Sequence, residues 1–596
     1  MSDLATYYQK FEHVHPPQSE TPEENIERVW HLLAGATIGF SILYLHWRWT
    51  ESLNADFLTF SVLVASAETL VVCSTILFYF DIWSDPVEPT PRAARDDLRA
   101  KPAKVDVFIT TFDEGVDVLS ETISDAKKIE APQSIIVEIF VLDDGQQEGV
   151  ADFCRDTDVN YISRSGNVGY KAGNLKNALL QTNGDFVLIL DADTRAFQSI
   201  LTNTLPYFND ERVAWVQTPH WFYDIPFSAP DFRSANASRN ILQSFPRSWD
   251  DMRALLQVKR DPFLSQSELF FDVIQRRRDR NAASFCCGAG SIHRRSAILE
   301  NALLKKVENI SSATNQYNGN VRAETVNQRL SHLFDLQPYA FHVSEDILTS
   351  IQLHTRGWTS KYHRHVEAKM LSPWSLNAWA MQKWKYSGGT FDIFCNSNPL
   401  FDQRVPLKVR AHYLSTFVSY LSILWISILL VAPILGLLFG ISPVSAYSID
   451  FMVAVLPALI LNEATMYLAC RRYDTYVGRV TSIATIPIQC LAAIQVLFGR
   501  RIKFPATPKA PGSRPDLFAF FVCLCVMAAL FAVCAVGAWS TINHLEGFSF
   551  SMLFMNLFWI FFLVLIVGRV ALMAIWSPEL ALQRITRIEN NLSKPD

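Results

Sequence analysis

Several short clusters in the middle of this sequence hold residues able to act together on a charged substrate. Asp191-Ala192-Asp193 follows the apolar run Phe186–Leu190. Two carboxylates so spaced at a strand end can hold a divalent cation that also binds a diphosphate, since Mg²⁺ favours one or two carboxylates together with phosphate oxygens. Asp143-Asp144-Gly145 ends a second apolar run, Ile135–Leu142, and Phe112-Asp113-Glu114 follows a third, Val105–Thr111. Lys171-Ala172-Gly173-Asn174 supplies a cation and a tight turn. Further along come Gln217-Thr218-Pro219-His220, Cys287-Gly288, Ser344-Glu345-Asp346 and Gln382-Lys383-Trp384-Lys385-Tyr386. One acid at a strand end is commonplace; the set is specific.

The elements that must position these residues are β-rich runs alternating with helical ones, the pattern of an α/β sheet. In open parallel sheets ligands gather at the carboxyl ends of the strands, where these acids fall. No segment between Asp81 and about Leu400 is apolar enough to span a bilayer, so this stretch reads as one large soluble domain.

Around it the composition is that of a membrane protein. The 596 residues are 49% hydrophobic with a mean hydropathy of +0.12. Two apolar runs precede the soluble domain, His31–Trp47 and Phe57–Phe80. Four follow it: Tyr413–Phe439, Phe451–Cys470, Leu517–Trp539 and Met552–Trp576. Val480–Leu497 is apolar but flanked by Arg471, Arg472 and Arg479 before it and Arg500, Arg501 and Lys503 after it, so it either spans or lies flat as an interfacial helix. Charge favours the flat placement. The loops near 441–449 and 540–550 then fall on the far side without Lys or Arg, the basic loops stay with the soluble domain, and only Arg48 is left across the membrane. This predicts six spanning helices with both termini cytosolic. The expected divisions are a cytosolic tail (1–29), two transmembrane helices (30–85), a cytosolic domain (86–400), four transmembrane helices with an interfacial helix and a loop (401–576) and a short cytosolic tail (577–596).

The net charge of -5 gives no reason to expect nucleic acid as partner. Ten cysteines lie scattered without a C-x-x-C pair, which argues against a disulfide framework or a zinc site. The polar, acidic first 29 residues lack the basic region and cleavable apolar core of a signal peptide. Glu68 and Glu463 fall well inside spans, where an ionisable group is costly, so each should face protein or a polar path.

The ordered clusters resemble the processive family-2 glycosyltransferases, the bacterial cellulose synthase catalytic subunits most closely, or a related β-glucan synthase such as a curdlan or mixed-linkage glucan synthase. The resemblance runs from about residue 57 to 576. It includes Asn398-Pro399-Leu400-Phe401 and Phe504-Pro505-Ala506-Thr507-Pro508-Lys509, the latter similar to that family's gating loop. It implies a GT-A type domain, mostly parallel in its sheet, inserted in an α-helical membrane domain of about six spanning helices plus interfacial helices. By the same resemblance Asp143 and Asp144 would meet uracil and ribose, and Lys171 the diphosphate. Asp191 and Asp193 would hold Mg²⁺ (or Mn²⁺). Gln382 and Lys385 would sit at the nucleotide sugar, Tyr386 and Cys287 at the acceptor, and Asp346 beside Glu345 would be the general base. Phe504, Thr507 and Lys509 would form the gating loop.

The activity so implied is inverting transfer of a hexose from a UDP-sugar, UDP-glucose foremost, to a growing glycan. The product would be a β-linked polymer passed through the plasma (inner) membrane. Alternatives are another polysaccharide of the hyaluronan or chitin kind, a glycolipid, or a non-catalytic transport or scaffold subunit. Expected partners are the UDP-sugar donor, the glycan acceptor, the lipid bilayer and an accessory periplasmic or regulatory subunit. About 20 residues follow the last span, too few for a PilZ-type regulatory domain. The chain departs from the family pattern Q-x-x-R-W with Lys385 and Tyr386. Lysine loses the bidentate fork and tyrosine offers a smaller aromatic face, so acceptor and linkage stay open. The stretch from Arg295 to Ser344 reads as an insertion or partner surface. Arg276-Arg277-Arg278 reads as a solvated helix face. Cys287 reads equally well as a buried structural thiol, and His220 and His354 as packed side chains. Tyr413, Ser415, Thr416, Ser419, Tyr420, Ser422 and Trp425 read as lining a saccharide channel.

Overall fold

The computed structural model describes residues 24–86, 103–224, 269–315, 336–373, 375–445, 449–470, 475–500 and 516–575, together with residues 12, 14–16, 267 and 473. The proposed gating loop at Phe504, Thr507 and Lys509 lies outside the described residues, as does most of both tails.

Among the described residues between the second and third spans there are ten strands: β1 (Ala103–Thr111), β2 (Ile135–Asp143), β3 (Asn160–Ser163), β4 (Phe186–Asp191), β5 (Arg195–Ala196), β6 (Val213–Gln217), β7 (Trp221–Phe222), β8 (Ser291–Arg294), β9 (Thr359–Tyr362) and β10 (Ala368–Met370). Seven of them make one sheet in the order β3-β2-β1-β4-β8-β6-β9, and the other three a small sheet β5-β10-β7. Within the large sheet only β8 runs against its neighbours, so the arrangement is mostly parallel, as expected. Along β1, Val105, Val107 and Ile109 enter one core layer while Phe108 enters the opposite one. Both faces of the sheet are therefore covered, which is why its strands read as continuous apolar runs.

Register places the acids. Thr110 of β1 pairs with Asp191 of β4, and Thr111 pairs with Asp143 of β2. Both acidic strand ends thus lie along one edge, beside the crevice between β1 and β4 where the strand order reverses.

Among the described residues six helices are long and apolar enough to cross a membrane: Glu24–Thr50, Leu58–Asp81, Leu407–Phe439, Asp450–Ala469, Leu517–Ile542 and Phe550–Ile575. The segment expected to lie flat is a pair of helices, Thr475–Ala484 and Ile486–Leu497, bent by 49°. Ala492 and Val496 of the second pack with Phe391 on the soluble domain's Leu376–Asn396 helix, and Ala484 and Ile488 pack with Trp379.

The arginine run corrects the sequence reading. Arg276, Arg277 and Arg278 are all buried, where a solvated face was expected. Arg278 reaches Asp81, the last residue of the second span, through Nε at 2.9 Å and Nη2 at 2.6 Å. The same carboxylate pairs with His412 Nδ1 at 2.6 Å and accepts from Ser415 Oγ at 3.1 Å. Arg276 pairs with Asp272 and Asp85, while Arg277 donates to Ala469 O and Arg280 to Phe80 O and Asp81 O. Helix C-termini leave carbonyls without intrahelical donors, and cations favour that end of the dipole. The run therefore caps two spans and fastens the soluble domain to them. Replacing Asp81 with Asn, which leaves Arg278 buried without a counter-charge, is expected to destabilise the protein by about 3–5 kcal/mol. The readout is a lower unfolding midpoint in detergent, and an unchanged midpoint would show the clamp to be dispensable.

The third span also departs from expectation. Tyr413 is buried and shares a hydrogen bond of 3.0 Å with His354 Nδ1, Ser415 bonds Asp81, and Trp425 is buried. Helix packing and the junction claim these three, so they do not line a channel.

Candidate active site

The loop 143–147 is built around Asp143, whose buried carboxylate accepts from Gly145 N and Gln147 N, each at 2.7 Å, and from Tyr161 OH at 2.9 Å. A Cβ on Gly145 would sit 1.8 Å from Phe112 O, so only glycine fits this turn. Asp144 is gripped by both arms of Arg164, Nε at 2.5 Å and Nη2 at 2.9 Å. Arg164 also donates to Val168 O at 2.7 Å and Tyr170 O at 2.9 Å, which ties Asp144 to the start of the helix Tyr170–Leu179.

That helix carries Lys171. A Cβ on Gly173 would fall 2.0 Å from Val168 O and 2.5 Å from Arg164 Nη1, which explains the glycine two residues after the lysine. Lys171 Nζ is ion-paired to Asp191 Oδ1, to which Thr110 Oγ1 also donates at 3.1 Å. Asp193 is buried two residues on. Among the described residues no three His, Cys, Asp or Glu side chains form a closed metal cage. Two hard carboxylates at an open strand end are instead the donor set of a cation that shares its ligands with phosphate oxygens, so these residues fit the expected Mg²⁺ or Mn²⁺.

Glu345 and Asp346 open the helix Glu345–Thr355. Asp346 Oδ1 accepts the N–H of Ile347 at 2.8 Å. A Cβ on Gly288 would lie 3.7 Å from Lys171 Nζ and 3.9 Å from Asp346 Oδ2, so the Cys287-Gly288 turn, with φ of +88° at the glycine, brings lysine and carboxylate together. Gln217, fully buried, holds this turn: its Oε1 accepts from Cys287 N at 2.7 Å and its Nε2 donates to Ala289 O at 3.2 Å. A cavity of about 20 Å³ lies here, with Lys171, Cys286, Gly288, Glu345 and Asp346 in its wall.

The electrostatics follow from crowding. Burial, and then the neighbouring Asp346, push Glu345 up to about 8, and burial raises Asp346 as well. Burial disfavours charge on Lys171, but Asp191, Glu345 and Asp346 outweigh it and raise its pKa. The site therefore holds the Lys171 cation among acids, and crowding disfavours the charged form of Glu345. His220 donates to Ala289 O at 2.8 Å, and burial drops it to about 4, so it is a neutral packed side chain. Burial lifts the Cys287 thiol well above its ordinary value, which removes it as a nucleophile.

Gln382, Lys385 and Tyr386 lie on the helix Leu376–Asn396. Lys385 is buried. Tyr386 is 49% exposed; partial burial and then Asp346, Cys287, Tyr420 and Asp191 raise its phenol. Asp346, Cys287 and Asp191, the last with its partner Lys171, thus all lie within electrostatic reach of Tyr386. Asp143 and Asp144 stand along the same sheet edge as Asp191, and Arg164 joins Asp144 to the Lys171 helix. Sequence reading did not single out Arg164, Thr110, His342 or Asp392, whose types are common and whose partners are remote in the chain.

Residues 102–388 match the family described as Glycosyltransferase like family 2. A cellulose synthase catalytic subunit of Pseudomonas fluorescens is 28% identical over 431 residues, 71% of this chain and 50% of that protein. The cellulose synthase 1 catalytic subunit of Komagataeibacter xylinus is 29% identical over 480 residues, 79% of this chain and 55% of that protein. The chain therefore spans about half the length of these curated relatives. A mannosyltransferase structure from Pyrobaculum calidifontis aligns over 80% of this chain and 100% of its own, with 14% identity and a TM-score of 0.40.

Proposed function

We propose, from the match of residues 102–388 to Glycosyltransferase like family 2 and the similarity to cellulose synthase catalytic subunits, that the protein is a processive membrane glycosyltransferase that polymerises a β-linked glycan. The donor is a UDP-sugar, UDP-glucose foremost. The polymer crosses the plasma (inner) membrane through the protein's own helices, with the catalytic domain and both termini cytosolic. What supports this reading is that the acidic strand end, Asp346 and the Tyr386 ring lie within electrostatic reach of one another, the ring being on a helix that packs against the third span.

The chemistry divides among the residues. An acceptor hydroxyl is a weak nucleophile, and Asp346 takes its proton as the oxygen bonds to the anomeric carbon and the bond to the nucleoside diphosphate breaks. Lys171 and Lys385 place positive charge where the departing diphosphate gains negative charge. Bound at Asp191 and Asp193, Mg²⁺ or Mn²⁺ supplies further charge of that sign. One base and one in-line displacement invert an α-linked donor to a β-linked product, with no covalent intermediate. Asp143 and Asp144, with the loop they organise, receive the nucleoside. Tyr386 stacks on the terminal sugar of the acceptor.

Replacing Tyr386 with Ala is expected to slow elongation about tenfold, the scale of a lost aromatic contact, while nucleotide affinity stays within about twofold. Rates of polymer growth measured beside UDP titration calorimetry check this; affinity falling as far as rate would remove the stacking role. The overall reading is tested with purified protein, Mg²⁺ and each labelled nucleotide sugar in turn, the product being digested by linkage-specific hydrolases. Absence of UDP release with every donor would overturn it. Lys385 and Tyr386 also favour a second product reading, a glycan other than cellulose or a glycolipid, which the same digestion distinguishes.

A further inference from the structure

The segment Tyr339–Ser344, just before the helix that carries Asp346, is committed at each of its main side chains to another part of the site. Phe341 seats against Gly169: a Cβ there would lie 2.9 Å from the ring, and Gly169, at φ of +78°, is the N-cap of the Lys171 helix. His342 Nδ1 accepts the Ser344 N–H at 3.0 Å, which puts the ring proton on Nε2, and Nε2 donates to Asp392 Oδ2 at 2.8 Å. Ser344 Oγ fills the space over Gly389, 1.9 Å from where a Cβ would stand. Asp392 and Gly389 both belong to the Leu376–Asn396 helix, and Gly389 lies three residues beyond Tyr386, on the same face.

We infer that Asp392 and His342 form a positioning couple that sets the register of Asp346 against Tyr386 and so against the acceptor hydroxyl. The inference rests on the glycosyltransferase reading and deepens it. Asp346 takes its proton from a hydroxyl that the Tyr386 helix helps to place, so the distance between the two helices decides whether that transfer is in reach. The carboxylate of Asp392 fixes the imidazole, the imidazole fixes the Ser344 amide at the start of the base-carrying helix, and the Gly389 notch lets the two backbones approach. Phe341 carries the same segment onto the donor side. Displacing a reacting group by about 1 Å can cost on the order of 100-fold in rate.

The test uses the full-length protein in detergent or nanodiscs and measures kcat and KM for the UDP-sugar that wild type turns over, together with UDP affinity. Asp392→Ala is expected to lower kcat about 10- to 100-fold with KM and UDP affinity within about twofold. Asp392→Asn, whose carbonyl still accepts from Nε2, is expected to return most of that kcat, which a merely structural loss would not do. His342→Asn keeps an acceptor for the Ser344 amide but not the link to Asp392, and should resemble Asp392→Ala. An unchanged kcat in Asp392→Ala, or equal losses of kcat and UDP affinity, would overturn the couple while leaving the proposed function standing. Wild-type protein that releases UDP from no nucleotide sugar would overturn the proposed function, and the couple with it.

Discussion

Changing Asp346 to Asn is expected to lower glycosyl transfer by about 10³-fold or more while UDP binds within about twofold of wild type. The size follows from what general-base catalysis contributes, on the order of 10²–10⁴-fold, and from the absence of a second ionised carboxylate in the right state. Glu345 beside it is a poor substitute, because burial and then the neighbouring Asp346 disfavour its charged form. Donor binding is spared because the diphosphate side of the site is made by Lys171, Asp191 and Asp193, on other elements. Radiolabelled polymer formation beside UDP calorimetry gives both numbers. Polymer made at the wild-type rate would remove Asp346 from the mechanism. The pH dependence has a definite sign. Burial raises the Asp346 carboxyl, and only its ionised form accepts a proton, so at saturating donor the rate falls as pH drops through that raised value. The Asn variant should show no such limb in its residual activity.

Lys171→Met should be nearly as damaging, but by a different route. The lysine is the cation shared by Asp191, Glu345 and Asp346. Its loss leaves Asp191, Glu345 and Asp346 facing one another without their shared counter-ion, a destabilisation softened by solvent because the Asp191 side chain is 41% exposed. It also removes the positive charge that meets the diphosphate. Both effects act before chemistry, so UDP affinity and the unfolding midpoint should fall together with kcat/KM, the last by roughly 10³-fold. The double variant Lys171→Met, Asp191→Asn separates them: removing the unpaired carboxylate should restore the midpoint but not the activity. A Lys171→Met protein with normal UDP affinity would mean the lysine is a packing residue only.

Much of the acidic sheet edge was readable because it is local. The strands at Val105–Thr111, Ile135–Leu142 and Phe186–Leu190 are apolar runs that end in acids, and parallel pairing aligns such ends without further instruction. The six spans were readable for the same reason, since a bilayer demands a long apolar run. The unread features depend on partners far along the chain. Arg278 is separated from Asp81 by 197 positions, and His342 from Asp392 by 50. A run of arginines is ordinarily solvated, and its burial here requires acids at the end of a span, which only the folded arrangement brings near. Tyr413 and Ser415 misled for a related reason. Polar groups in a membrane helix can face a channel or a neighbouring helix, and composition does not distinguish the two.

Arg48, at the end of the first span, has a consequence for how the protein is made. It is fully buried, pairing with Glu68 at 2.7 Å in the second span, and it also donates to Ser52 Oγ, Ser61 O and Pro443 O. The first three partners are synthesised within a few seconds of the arginine, at about 5–20 residues per second. Pro443 is 395 positions away and arrives only after the sheet-bearing domain and the third span. Throughout that interval the first two spans sit in the membrane with a guanidinium whose shell is incomplete, a costly state in lipid. The hydrogen-bond shell of Arg48 is thus completed only when the loop at Pro443 has been made. A ribosome stalled before residue 443 should leave a protease-sensitive N-terminal hairpin, and one released after it a protected one.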